Sequence, residues 1–259
     1  MPQPPEKVLE AFHATSAPDE AVQLGPAWDN GLRVGDVVFA RAGQLTSWSA
    51  KVREKLQVDG ARVARPVLST DGRYTVAGWK ATQFVAGDVA RRVDETAQLG
   101  LRLDDAAGEL TVPHAGTASA RTDIFARAEA AAWEETGETY RDLDADAESP
   151  LVVGHADLLG TTIYAGANPP TIVDFVPTAA PRPRGFTSAL VIVDGLIAGA
   201  VDDRICDRFA HIPNLDQLLL RAVAYRRYVN DFHPRSRANT RSYIEDVEEL
   251  LVSRVSAIM

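Results

Sequence analysis

The sequence contains one cysteine, Cys206, which excludes an internal disulfide and a cysteine-based zinc site. This cysteine usage is typical of a reducing compartment, and residues 1–6 lack the basic stretch and apolar run of a secretory signal. The most apolar segment, residues 189–201, is too short to cross a bilayer and contains Asp194. We therefore expect a cytoplasmic protein with no membrane partner.

Positive charge is also limited. The 259-residue chain carries 27 lysines and arginines against 36 aspartates and glutamates, a net charge of −9. Because such an acidic chain lacks the electrostatic footprint of a nucleic-acid-binding protein, we expect no nucleic-acid partner. Any mechanism that needs a lysine has four candidates, which are Lys7, Lys51, Lys55 and Lys80.

Several common catalytic motifs are missing from the sequence. It has no Walker lysine loop, no HExxH and no GxSxG. Residues 25–31 (Gly-Pro-Ala-Trp-Asp-Asn-Gly) do not form a dinucleotide-binding fingerprint, and their glycines predict a turn. The five histidines are scattered, so a histidine metal site would have to assemble by folding.

The first 85 residues or so predict a small α+β unit. Leu45, Trp48, Val52 and Leu56 recur at helical spacing, and Thr70-Asp71-Gly72 is a strong hairpin signal. The β-forming stretches are residues 32–41, 63–68 and 73–79.

From residue 87 onward the pattern is mostly helical. The predicted helices cover residues 93–107, 123–133, 188–200, 215–230 and 240–258. The expected fold class is α+β, with a small β-rich N-lobe over residues 1–86 and a larger, mainly helical C-lobe over residues 87–259. Residues 84–88 would join the two lobes.

The chemistry of the chain is concentrated between residues 155 and 175. His155, Asp157 and Leu158 form an HxDL motif, and an apolar strand ends in Asp174, seventeen residues after Asp157. In kinase-type phosphotransferases a loop carboxylate accepts the proton of the attacking hydroxyl, and a second carboxylate holds Mg²⁺ on the nucleotide phosphates. The alternative interpretation is a hydrogen-bonded His–Asp pair at a junction and a polar residue that closes a strand.

This segment and the pattern before it resemble the aminoglycoside-phosphotransferase and choline-kinase branch of the protein-kinase-like fold, and more narrowly an uncharacterised, actinobacterial subgroup of that branch. The resemblance covers nearly the whole chain. It implies that Asp157 is the catalytic base, that His155 braces the catalytic loop, and that Asp174 is the Mg²⁺ ligand of a bound ATP.

Three features of the family are absent from their expected positions. The phosphate-binding lysine belongs on the strand of residues 37–41, where Ala40 occupies the place and the adjacent Arg41 should point away from the cleft. Arg41 remains a candidate for the phosphates only after a local rearrangement. Glu54, the one acidic residue of the following helix, lies about 200° round from the apolar stripe and should be solvated. Thr161 or Thr162 replaces the metal-binding asparagine, and a threonine hydroxyl is a weaker ligand.

These departures lead to three hypotheses. Losing the lysine and weakening one metal ligand would slow phosphoryl transfer by ~10³–10⁵. The first hypothesis is therefore a kinase-like protein with a degenerate active site, which binds a nucleotide, a small-molecule ligand or a protein partner. The alternative is an active ATP-dependent phosphotransferase acting on a small hydroxylated or aminated metabolite. A third option is an interaction module that uses the apolar face of the last helix.

Overall fold

The computed structural model describes residues 3–14, 21–112, 121–143, 149–236 and 238–258. The chain divides into two compact units. The first unit consists of Met1–Ala90 and Gly160–Val176, and the second of Arg91–Leu159 and Pro177–Met259. The division after residue 90 differs little from the boundary expected after residue 86. Residues 160–176, which were expected in the C-lobe, belong to the first unit because their strands pair with strands of that unit.

The first unit contains two sheets. Its strands are β1 (Val22–Gln23), β2 (Leu32–Val34), β3 (Val37–Arg41), β4 (Arg62–Val63), β5 (Thr75–Val76), β6 (Trp79–Gln83), β7 (Asp88–Val89), β9 (Thr162–Tyr164) and β10 (Thr171–Ile172). The larger sheet has the antiparallel order β1-β2-β3-β6-β5, and the smaller sheet has the order β4-β10-β9-β7. Two helices, α1 (Glu6–Ala11) and α2 (Thr46–Lys55), accompany the sheets.

The two faces of the larger sheet carry different side chains because strand residues alternate in direction. Phe39 and Trp79 belong to one buried cluster, which α1 completes with Val8, Leu9 and Phe12. On β3 the neighbour Val38 belongs to a second cluster, which also takes in residues of β9 and of the segment after β10. The site described below lies on this second face.

The predicted hairpin around Asp71 is wrong in its strand pairing. A turn does form there, since the Gly72 amide donates to the Ser69 carbonyl at 2.8 Å. The paired hairpin is β5–β6, however, and it turns at Ala77 and Gly78, both with positive φ. β4, by contrast, pairs in parallel with β10. Runs of two residues are too short for periodicity to identify their partners.

The second unit is mainly helical. Its helices are α3 (Val93–Ala106), α4 (Ile124–Trp133), α6 (Phe186–Ile197), α7 (Arg204–Arg208), α8 (Leu215–Phe232) and α9 (Ala238–Ile258), and its short strands are β8 (Leu151–Val152) and β11 (Arg182–Pro183). The short helix α5 (Leu158–Thr161) runs from the end of this unit into the first unit. The five predicted helices are confirmed as α3, α4, α6, α8 and α9, with ends that shift by a few residues. The short helices α1, α5 and α7 were not predicted.

The core of the second unit forms around α6 and α8. α6 packs against α3 and α8, and α8 packs in turn against α4 and α9. Ile244, Val247, Leu251 and Val255 of α9 are buried, so the predicted apolar face of this helix is covered within the unit. Among the described residues, no helix is long and apolar enough to span a membrane.

Candidate functional site

Lys80 of β6 lies directly opposite Ala40 of β3, the position at which the resemblance places a lysine. Residues that face each other across an antiparallel pair project from the same side of the sheet. The methyl group of Ala40 leaves room beside it, and Lys80 projects over the same face. Lys80 and Ala40 also line one small cavity of the first unit. Lys80 of the neighbouring strand β6 therefore projects beside the position at which the resemblance predicts a lysine on β3.

The ammonium group of Lys80 contacts two carboxylates. Its Nζ lies 2.8 Å from Oδ2 of Asp174 and 2.5 Å from Oδ2 of Asp29. The side chain of Lys80 is 12% exposed and that of Asp174 is 18% exposed, whereas that of Asp29 is 51% exposed. Lys80 therefore joins one largely buried carboxylate to one that reaches solvent.

Asp174 is held from several sides by groups of the first unit. The Ser49 hydroxyl donates to Oδ1 at 2.6 Å, and the Phe175 amide donates to the same oxygen at 2.8 Å. The Arg53 guanidinium adds a second positive charge, with Nε 3.4 Å from Oδ1. The carboxylate is thus fixed in place by two cations and two neutral donors.

Arg53 is a buried residue of α2, with 1% of its surface exposed. Its Nη1 donates to the Ala64 carbonyl at 3.0 Å and to the Val173 carbonyl at 3.1 Å, while its Nε donates to Ser49 Oγ at 3.3 Å. Ser49 and Arg53 are four residues apart and so share one helix face. The helix that carries a glutamate in the family here presents an arginine to the aspartate.

The pKa values follow from this arrangement. Burial alone would raise the pKa of Asp174, but the charges of Lys80 and Arg53 hold it well below its usual range. Burial acts to lower the pKa of Lys80, yet Asp174 and Asp29 together raise it above its ordinary value. Lys80 and Arg53 therefore both have Asp174 as a partner of opposite charge, which offsets part of the cost of burying them.

Sequence reasoning missed Lys80 and Arg53, and it proposed Arg41 instead. Arg41 is opposite Trp79 in the β3–β6 register, and its guanidinium lies over the Trp79 ring at 4.2 Å from the centroid. It therefore projects from the face opposite to Lys80 and does not join the Asp174 cluster. A usable signal was Lys80 itself, the one lysine adjacent to a predicted strand, next to the buried Trp79.

The expectation for Glu54 is confirmed, because its side chain is exposed. Its Oε2 accepts a hydrogen bond of 2.8 Å from the Tyr74 hydroxyl. Thr161 ends α5, and Thr162 begins β9 opposite Ile172; both threonines are buried. The Thr161 carbonyl accepts from the Val173 amide at 2.9 Å, which places both threonines next to the strand that leads to Asp174.

His155 and Asp157 belong to the second unit. His155 is completely buried, and its Nδ1 accepts a hydrogen bond of 3.0 Å from the Asp157 amide. The His155 amide donates to Oγ1 of Thr187 at 2.9 Å. These bonds fix the loop backbone at both residues, while Asp157 is exposed.

Two further groups of the second unit support this loop. Arg226 donates from Nη2 to the Ala156 carbonyl at 2.9 Å, and its guanidinium makes a bidentate pair with Asp194. Asp104 accepts from the Thr187 hydroxyl at 2.6 Å and from the Gly185 amide at 2.8 Å. Its complete burial raises its pKa to about 7. Sequence reasoning did not anticipate this support.

In the part of the chain that the structure describes, no group of three or more histidine, cysteine, aspartate or glutamate side chains forms a metal site. Mg²⁺ on a nucleotide needs less than this, because one or two carboxylates together with phosphate oxygens and water complete its coordination. Asp174 and Lys80 together have the chemistry that such a complex requires, a hard oxygen ligand beside a cation.

The sheet order, the intervening helix α2 and the helical second unit define the protein-kinase-like fold, in the form found in aminoglycoside phosphotransferases. A crystal structure of spectinomycin phosphotransferase, APH(9)-Ia, in complex with ADP and spectinomycin is similar to this chain, with a TM-score of 0.51 over 92% of each chain. The sequence identity is 11%, so the likeness establishes the fold alone. No protein-family model matches the chain, and no curated protein matches it in sequence.

Proposed function

We propose that the protein is a kinase-like protein that binds ATP through Lys80 and Asp174 and transfers phosphate weakly or not at all. Its second ligand would be a small molecule or a protein partner. The observation that carries this proposal is the ion pair between Lys80 and Asp174. When bound, ATP with Mg²⁺ would supply the transferable phosphoryl group and the metal charge that neutralises it.

Retained nucleotide binding is supported by the chemistry of the first unit. Lys80 offers an ammonium group for phosphate oxygens, and Asp174 is held as an ionised carboxylate suited to Mg²⁺. The structural neighbour is itself a complex with ADP. Lys80 would thus supply the cation that the sequence lacks on β3, which supports nucleotide binding.

Weak transfer is supported by the other departures. Arg53 takes the place of an acidic partner for the lysine, and its charge acts on Asp174 together with that of Lys80. Thr161 and Thr162, the candidates for the missing metal ligand, are buried. Removal of one electrostatic stabiliser typically costs ~10²–10³ in rate, so these changes together favour a slow enzyme or an inactive one.

An active phosphotransferase is the second candidate, and one observation favours it. Asp157 is exposed on a loop whose backbone is fixed by His155, Thr187 and Arg226. An exposed carboxylate on a rigid loop is suited to accept a proton from the attacking hydroxyl or amine of a small metabolite. In this alternative Asp157 is the base, and its loss should abolish turnover.

The test of binding is calorimetric titration of ATP, with and without Mg²⁺. We expect Mg²⁺-dependent binding by the wild type and none by Lys80→Ala. Because Ala40 faces Lys80 across the sheet, the double variant Ala40→Lys/Lys80→Ala should recover part of the affinity. Lys51→Ala, which removes an exposed lysine of α2, is the matched control and should bind like the wild type. Unchanged affinity in Lys80→Ala would contradict the proposal.

Transfer is tested separately, by following ADP formation against pools of hydroxylated and aminated metabolites. Weak or absent turnover is the result expected here. Turnover at rates of ordinary kinases, about 1–100 s⁻¹, would favour the active alternative. If such turnover survived in Asp157→Asn, the assignment of Asp157 as base would also be wrong.

A further inference from the structure

The loop of residues 25–31 connects β1 to β2 and folds onto the same face of the sheet as Lys80. Residues Pro26–Trp28 form a turn of 3₁₀ helix, and Asp29 and Asn30 follow with φ of 53° and 52°. Aspartate and asparagine are the non-glycine residues that adopt the left-handed region most readily. The loop is therefore a tight turn whose position depends on its contacts with the rest of the unit.

The first of these contacts is apolar. Trp28 is 8% exposed, and its ring packs against Phe84 with centroids 5.7 Å apart. Ala27 and Trp28 belong to the buried cluster that contains Val38 and Val173. Together with Lys80 and Asp174 they line the same small cavity, so the loop forms one wall of the space beside these two residues.

The second contact is ionic. Asp29 places a carboxylate oxygen 2.5 Å from Nζ of Lys80, and a carboxylate presents to a cation the same kind of oxygen as a phosphate does. Asp29 is also 51% exposed, so it can return to water at little cost, whereas Asp174 remains largely buried. Of the two carboxylates on Lys80, Asp29 is the exchangeable one.

The third contact fixes the end of the loop. The Gln23 side chain donates from Nε2 to the carbonyls of Asn30 and Gly31. At Gly31 a Cβ would lie 2.6 Å from the Phe39 carbonyl oxygen and 2.9 Å from that of Trp28, so this close approach to β3 requires glycine. The loop is thus closed against the sheet by its backbone as well as by its side chains.

We propose that loop 25–31 is an internal ligand of this site, in which Asp29 occupies the phosphate position on Lys80 and Trp28 fills the adjoining apolar space. A phosphate-bearing ligand then binds in exchange for Asp29, and the loop sets its affinity. This inference rests on the proposed nucleotide binding and adds its regulation. Only molecules in which the loop is open can bind the ligand. The apparent dissociation constant is therefore the intrinsic one divided by the fraction of molecules with an open loop.

The experiment is titration of wild type, Asp29→Asn and Asp36→Asn with Mg-ATP and with inorganic tripolyphosphate. Asparagine tolerates the left-handed conformation and removes the charge, so Asp29→Asn should bind both ligands about tenfold more tightly. Asp36→Asn is the matched control, because Asp36 lies on the neighbouring β2–β3 turn with its side chain 93% exposed. Its affinity should equal that of the wild type.

Hydrogen exchange of the wild type gives an independent readout. The amides of Trp28, Asn30 and Gly31 are bonded within the loop, and ATP should increase their exchange if the loop is displaced. Slower exchange, or an Asp29→Asn affinity equal to or weaker than that of the wild type, would overturn the internal-ligand inference and leave nucleotide binding intact. Absence of binding by every variant, Asp29→Asn included, would overturn both.

Discussion

The two aspartates of the sequence motif have opposite surroundings. Asp174 is largely buried, and the charges of Lys80 and Arg53 neutralise it. Asp157 is exposed, and the hydrogen bonds given above hold the loop backbone from His155 to the Asp157 amide. One carboxylate is fixed by charge, and the other is carried by a fixed backbone.

Because of this difference, we expect Asp174 and Asp157 to contribute differently to the free energy of unfolding. A buried carboxylate paired with two cations supports the fold of its own unit, so its replacement must be felt in the free energy of unfolding. An exposed carboxylate on a fixed loop contributes little to that free energy, and in the second function proposed above it would act as the base. Variants of the groups around each aspartate therefore test the comparison directly.

The largest effect is expected for Arg53→Met, which removes a buried cation and leaves the Ala64 and Val173 carbonyls without its N–H groups. Breaking a buried ion pair from one side typically costs about 3–5 kcal/mol. Urea unfolding at pH 7 measures the loss. Lys51→Met, an exposed position of the same helix, should stay within about 0.5 kcal/mol of the wild type. A loss below 1 kcal/mol for Arg53→Met would show that Asp174 does not depend on it.

The next effect is a pH dependence from Asp104, which supports the Asp157 loop through Thr187. Its folded pKa of about 7 lies above the ordinary value of 3.8, so the folded state binds more protons between these limits. The contribution is therefore complete below about pH 4 and is lost as pH rises to about 7, a change of roughly 4 kcal/mol. Unfolding of wild type and Asp104→Asn across this range should diverge accordingly.

The control for this pH dependence is Asp105→Asn. Asp105 is adjacent, it is paired with Arg184, and its pKa is lowered rather than raised. This variant should keep the decline of stability between pH 5 and 7 that the wild type shows. Parallel curves for wild type and Asp104→Asn would mean that Asp104 is ionised in the folded protein at all these pH values.

A smaller loss is expected for Asp174→Asn at pH 7. The amide can keep the bonds from Ser49 and Phe175, but Lys80 and Arg53 lose their buried countercharge, at a cost of about 2–3 kcal/mol. Because the pKa of Asp174 is depressed, its contribution is present above about pH 4 and is lost as pH falls below that value. The stability difference from the wild type should therefore shrink in acid. A difference independent of pH would contradict the ionic account.

The smallest effect belongs to Asp157→Asn. Its side chain is exposed, so the free energy of unfolding should remain within about 0.5 kcal/mol of the wild type at any pH between 5 and 8. Thermal or urea unfolding suffices as the measurement. A loss comparable to that of Asp174→Asn would remove the contrast between the two aspartates.

The fold was largely predictable from the sequence. The spacing of apolar residues predicts the long helices, and the HxDL motif is typical of the protein-kinase-like fold. The strands of the first unit were not predictable, because most are two or three residues long and the pairs β3–β6, β4–β10 and β7–β9 join segments far apart in sequence. The strand β6 was not predicted, because the predicted strand ended at residue 79. The position of Lys80 opposite Ala40 was therefore missed, and the sequence was interpreted as lacking the lysine.

The buried polar residues were hidden for a different reason. Arg53 lies next to Val52 on α2, and an arginine on a helix is by default assigned to solvent. Its burial depends on the Ala64 and Val173 carbonyls and on Asp174, all distant in sequence. Asp104 likewise depends on Thr187 and Gly185. Such networks follow from tertiary contacts that no local pattern encodes.

The most direct test of the account is a double-mutant cycle between Lys80→Met and Asp174→Asn, measured by urea unfolding at pH 7. If Lys80 of β6 holds Asp174 as the geometry indicates, the two losses should be non-additive, with a coupling free energy of about 1–3 kcal/mol. Additivity within about 0.3 kcal/mol would contradict the account, because Lys80 could then not replace the lysine that β3 lacks.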